Sequence, residues 1–193
     1  MSPDVQPASP FRLDFGAIDA GWIEATAQLG ATTIKTQASY LGEPLTDWIT
    51  ACLDLKNDAA YNYPTSADPA RKYVDWNNEP SVHRFILEIS DASLAVKISC
   101  IWASDPPPGQ WERHDEDCGW IVIPWADLAA ETCRAARVVY RRYGLRRYGD
   151  AWIGAEFPAG RLLALHALRY GEGLFARFPT EHDLLSCEDI SCP

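Results

Sequence analysis

Along the chain, apolar positions recur with a period of two in some stretches and of three to four in others, and the switches mark out the elements. Over 22–29, Ile23, Ala25, Ala27 and Leu29 alternate with Trp22, Glu24, Thr26 and Gln28, as in a half-buried strand. Gly30-Ala31 supplies a two-residue turn with Gly in its first position, and 33–41 alternates again, so 22–41 is predicted to be a hairpin. Pro44 suits a first helical position, and Leu45, Trp48, Ile49, Cys52 and Leu53 predict a helix to about residue 56. Residues 82–90 and 94–102 predict a second hairpin, with Phe85, Leu87, Ile89, Leu94, Val96, Ile98, Cys100 and Trp102 facing in. A short apolar run at 120–123 adds a fifth strand.

Asp127, as N-cap, opens the longest helix, running to about 148. Its apolar stripe is Leu128, Thr132, Ala135, Val139 and Tyr143, and arginines crowd its C-terminal end, as the macrodipole favours. A short helix follows Pro158 over 161–170, with Leu162, Leu165 and Leu168 inward and His166 at its surface, ended by Gly171 and Gly173. Residues 57–81 read as a long polar loop holding Tyr61, Tyr63, Tyr73 and Trp76, and 104–118 as a second one broken by three consecutive prolines. The expected fold is α+β: one antiparallel sheet of four to five strands, covered on one face by three helices. A single domain over 11–180 is flanked by a proline-bearing flexible tail, 1–10, and an acidic tail, 181–193, that frays.

Composition narrows the function. In 193 residues, 47% hydrophobic, there is material for a core without disulfides or metal, and no apolar run of membrane-spanning length. The first ten residues lack a basic patch and an apolar run, so no signal peptide is visible and a cytoplasmic protein is expected. The net charge is −10, yet 125–149 alone carries six arginines against two acids. So acidic a surface repels nucleic acid and anionic membrane and suits a basic protein partner. The arginine stripe reads as a solvated face that pairs with the chain's own carboxylates. Six cysteines without a CxxC pair read as free thiols.

Candidate chemistry gathers in the 112–118 run ERHDEDC. His114, the carboxylates and Cys118 are all metal-ligand types, but consecutive residues seldom converge on one ion, and neither a metal nor a cofactor is expected. Phosphate cradles and hydrolase signatures are missing. Cys118 with His114, or Cys100 with His83, remains open as a nucleophile pair, and a hydrolase using His114 and neighbouring carboxylates is an alternative function. Trp111 beside Glu112, Asp115, Glu116 and Asp117 has the character of an aromatic anchor in an acidic rim. This loop is the expected partner contact, with Trp22, Glu24 and Gln28 on the first hairpin's polar face in support.

The run FGAIDAGWIEATAQLG, then ASYLGEPLTDWITACLDL, followed by a hairpin and a long helix, resembles small bacterial proteins, some of them similar to immunity proteins of polymorphic toxin systems. The resemblance implies an acidic, non-enzymatic domain that binds and neutralises a basic toxin or effector. An adaptor or chaperone for a secreted protein is the other non-enzymatic alternative.

Overall fold

In a computed structural model of the chain, residues 10–61, 64–65, 67–90, 94–104, 114–171, 173, 177–178 and 180–187 are described. Three strands, β1 (Phe11–Asp19), β2 (Trp22–Leu29) and β3 (Thr32–Ser39), form one antiparallel sheet. Helix α1 (Pro44–Tyr61) leads to a second antiparallel sheet of β4 (Ala70–Asn78), β5 (Ser81–Ile89), β6 (Ala95–Ser104) and β7 (His114–Pro124), in that order. Helices α2 (Trp125–Ala151), α3 (Ala159–Tyr170) and α4 (Glu181–Ser186) follow. The α+β class is as the periodicity predicts. The strands, however, divide into two sheets rather than one.

Both predicted hairpins form, with Leu29 opposite Thr32 around Gly30 at φ 60° and Ile89 opposite Val96. The chain departs from expectation where its pattern is interrupted. β1 alternates through Phe11, Leu13 and Phe15, then shifts register before Ile18, which breaks the period of two. Much of the expected 57–81 loop is ordered: α1 runs on to Tyr61, and β4 buries Val74 and Trp76. Lys72 on β4 reaches Asp58 at 2.9 Å and ties the two together. The second expected loop ends at His114, where β7 begins.

Three corrections concern the helices. Pro124 rather than Asp127 is the N-cap of α2, and Asp127 lies in the first turn. Leu168 is exposed, and the inward stripe of α3 is instead Leu162, Leu165 and His166, at spacings of three and four. Residues 181–186 do not fray. They form α4 through a capping box, in which the Thr180 hydroxyl accepts from Asp183 N at 3.1 Å and the Asp183 carboxylate accepts from Thr180 N, also at 3.1 Å. Leu184 and Leu185 are buried.

One core joins all layers. Phe11 from the first sheet meets Trp48 of α1 at 5.6 Å between ring centroids, Trp48 meets Phe85, and Phe85 meets Trp76 edge-on at 4.6 Å. Such pairs add about 0.5–1.5 kcal/mol each beyond buried area. The Trp125 indole donates to the Cys52 carbonyl at 2.9 Å, fixing the start of α2 against α1. Among the described residues, no helix is long and apolar enough to cross a membrane.

Candidate partner-binding surface

The outward side of the four-stranded sheet is built in cross-strand rows. One row runs Arg71, Glu88, Lys97, Val122, and the next runs Tyr73, Ile86, Ser99, Trp120. Along β7, Ile121 and Ile123 turn in while Trp120 and Val122 turn out, 60% and 53% exposed. At the opposite edge Tyr73 is 55% exposed. Lys97 Nζ lies 5.9 Å from the Trp120 ring centroid, and Arg84 lies 5.7 Å from that of Tyr73.

Charges on the β4–β5 side of this face satisfy one another. Arg84 makes a two-pronged bond with Asp75 at 2.8 and 2.7 Å, and Glu88 accepts from Arg71 at 2.5 Å. Glu116 and Asp117 on β7 differ: both are exposed, and neither has a cation within ion-pair reach among the described residues.

A bulge shapes this end of β7. Cys100 faces Gly119 and Ile101 faces Asp117, which leaves Cys118 as the extra residue. Gly119 takes φ 110°, and its N–H donates to Asp117 Oδ1 at 2.7 Å. A side chain on Gly119 would stand 3.3 Å from Thr32 Oγ1, so the glycine also lets the β2–β3 turn approach.

The expected contact residues fall in three places. Trp111 and Glu112 lie outside the described residues. Asp115, Glu116 and Asp117 belong to β7, paired with β6, rather than to a loop. Trp22, Glu24 and Gln28 share the outward side of β2 in the other sheet, where Trp22 is half-buried. Glu24 and Gln28 serve their own sheet. Glu24 Oε2 accepts from Ala17 N at 3.4 Å, where β1 shifts register, and Gln28 donates to the Gly30 carbonyl at 3.1 Å. Trp120 and Val122 lie outside the expected contact, although the alternation of 120–123 carries the signal.

Several groups with catalytic potential among the described residues are poorly disposed for it; the side chain of His114 lies outside them. Burial pushes the Cys52 thiol up to about 12, and also pushes up Cys133 and Cys100, the last with Cys118 close by. Cys52, Cys100, Cys118 and Cys133 are free thiols. Ser186 Oγ lies 3.3 Å from His182 Nδ1, the nitrogen that Tyr140 already engages at 3.0 Å, and 3.5 Å from Nε2. That side-on placement does not suit a serine nucleophile and its base. Among the described residues, no three His, Cys, Asp or Glu side chains converge as a metal site would require.

Comparison with family models, with curated proteins and with solved structures finds no match to the chain.

Proposed function

We propose that the chain is a non-enzymatic inhibitor of the immunity-protein kind, which binds and neutralises a basic toxin or effector protein. One observation carries the reading: exposed Trp120 and Val122 share an edge strand with two exposed carboxylates, Glu116 and Asp117, that the chain leaves without cations among the described residues. An aromatic anchor resists dissociation once water is excluded from around it, and unpaired acids at the rim steer a basic partner. The net charge of −10 extends that steering beyond the contact itself.

The test is co-expression with the product of the neighbouring gene, followed by titration of that protein's toxic activity. An inhibitor neutralises at one-to-one stoichiometry and co-elutes with its target. Weak, non-neutralising association would favour the adaptor reading. Activity of the purified chain on small substrates that is lost in His114→Ala would favour the hydrolase.

A further inference from the structure

The arginines of α2 form the expected self-paired face only in part among the described residues. Arg134 does pair, with Glu131 at 2.7 Å and with Asp14 at 2.8 Å, and Arg137 is buried. Past these, α2 is interrupted at Gly144, whose φ of 64° and ψ of −172° break the helical path. Arginines on both sides of the break then line an open groove of about 470 Å³ between α2 and α4. Its polar walls are Arg141, Arg142, Arg147, Tyr140, His182 and Ser186, and among the described residues no carboxylate lines it.

Among the described residues, no carboxylate pairs with these arginines. Arg142 and Arg147 are exposed and make no hydrogen bond or ion pair among the described residues, and Arg141 spends one donor on the Cys187 carbonyl at 2.9 Å. Asp183, beside His182, is turned into the capping box with Thr180. One turn before Arg141, Arg137 is 4% exposed, with Nε and Nη1 lacking any partner among the described residues, and lies within electrostatic range of Arg141 and Cys187. A buried guanidinium without an acceptor is costly and reinforces the positive potential on this side of α2.

The geometry points to a binding site for a phosphate monoester of a small molecule, its dianion held by Arg141, Arg142 and Arg147 and its organic part seated in the remaining volume. Three guanidinium groups exceed what a single carboxylate can engage, whereas a phosphate group offers three terminal oxygens and a double charge. The volume falls within the range of small-molecule sites, roughly 300–1,000 Å³. Long nucleic acids are disfavoured. A polyanion leaving this cluster would run onto a surface that carries the rest of the net charge of −10, whereas a small dianion stays within about one Debye length of the arginines.

The inference is independent of the inhibitor reading and is tested by calorimetry on the full chain at about 50 mM salt. The probes are adenosine monophosphate, inorganic phosphate, adenosine and a single-stranded oligonucleotide. The expected result is one-to-one binding of the monophosphate, weaker binding of phosphate, and none of adenosine. Arg142→Gln with Arg147→Gln should weaken the monophosphate at least about tenfold. Both residues are exposed, so the thermal melt should not move, and Arg12→Gln on β1 should bind as wild type. No binding of either phosphate probe up to about 10 mM, unchanged binding by the double variant, or binding of the oligonucleotide alone would each overturn the assignment. So would inorganic phosphate binding as tightly as the monophosphate.

Discussion

β1 and β7 both end a sheet, and the two edges are finished in opposite ways. Along β1, α2 supplies side chains in place of a further strand: Glu131 accepts from Leu13 N at 2.8 Å, Arg134 donates to the Leu13 carbonyl at 2.6 Å, and the Tyr143 hydroxyl accepts from Ile18 N at 2.7 Å. Three of the backbone groups that could pair with another chain are thereby occupied. On β7 between Glu116 and Val122, acids and a tryptophan face solvent, and the shielding is by charge and by the bulge at Cys118. One edge is closed by side chains of α2, and the other is left facing solvent.

The largest expected effect comes from opening the closed edge. Glu131→Ala removes the acceptor for the fully buried Leu13 N–H and two of the bonds that hold Arg134, which keeps Asp14. A loss of about 3 kcal/mol in urea-unfolding stability is expected, from one unsatisfied buried donor plus a weakened charge pair. A loss under about 0.5 kcal/mol, the level of an ordinary surface change, would show that α2 does not close this edge energetically.

Closure also depends on α2 staying docked on α1 and α3, and two groups in that region titrate in opposing directions. Burial, with Arg137 beside it, depresses His166 to about 3, and its ring stacks on Tyr170. Burial raises Asp47 to about 6, with Glu43 and Asp75 adding repulsion and Arg161 opposing it. Between pH 6.5 and 4 the unfolded chain takes up a proton at His166 that the folded chain refuses, so stability falls as the pH falls. Between pH 6 and 4 the folded chain holds a proton at Asp47 that the unfolded chain releases, so stability rises as the pH falls. His166 contributes about 3 kcal/mol across its interval, and the partly hydrated Asp47 about 1–2 kcal/mol. Asp47→Asn should therefore steepen the acid-side loss of stability relative to wild type, and His166→Phe should flatten or reverse it. Parallel pH–stability curves for all three proteins would remove both assignments.

The same contrast shows what the sequence made legible. Regular elements announced themselves: 22–41 and 82–100 carry the period of two, and each forms its hairpin. β1 hid because its alternation stops at the register shift after Phe15, close behind three prolines. β4 hid among Asn, Asp and Pro, although Val74 and Trp76 alternate inward. The division into two sheets is a property of packing, in which the Trp48 ring of α1 stands between Phe11 of one sheet and Phe85 of the other. Of the candidate surface, the acids of β7 could be read from charge density. The outward turn of Trp120 follows from the alternation of 120–123, and the register with β6, where it faces Ser99, fixes which row it joins.

On the open edge, Trp120→Ala should leave stability within about 0.5 kcal/mol of wild type, because the ring is 60% exposed. With a partner in hand, it should speed dissociation by about 30-fold, equivalent to about 2 kcal/mol for a central aromatic anchor. Surface plasmon resonance separates the rates. A slowed association with unchanged dissociation would move the anchor elsewhere on the molecule.

The smallest effect belongs to the acids. Glu116 and Asp117 are exposed and without cations among the described residues, so Glu116→Gln with Asp117→Asn removes two charges without breaking an ion pair of the chain's own. The asparagine amide would keep an oxygen to accept from Gly119 N, as Asp117 Oδ1 does at 2.7 Å, so the bulge is expected to persist and the melt to stay in place. Charges at the rim of an interface act mainly before contact, by raising the encounter rate of an oppositely charged partner, and salt screens them over about 10 Å at 0.1 M. The double variant should therefore associate a few-fold more slowly at low salt, converge with wild type as salt rises, and dissociate at the wild-type rate. The salt series is decisive because a structural defect would persist at high salt. Association that matches wild type at every salt concentration would leave β7 with an aromatic contact and no steering role for its carboxylates.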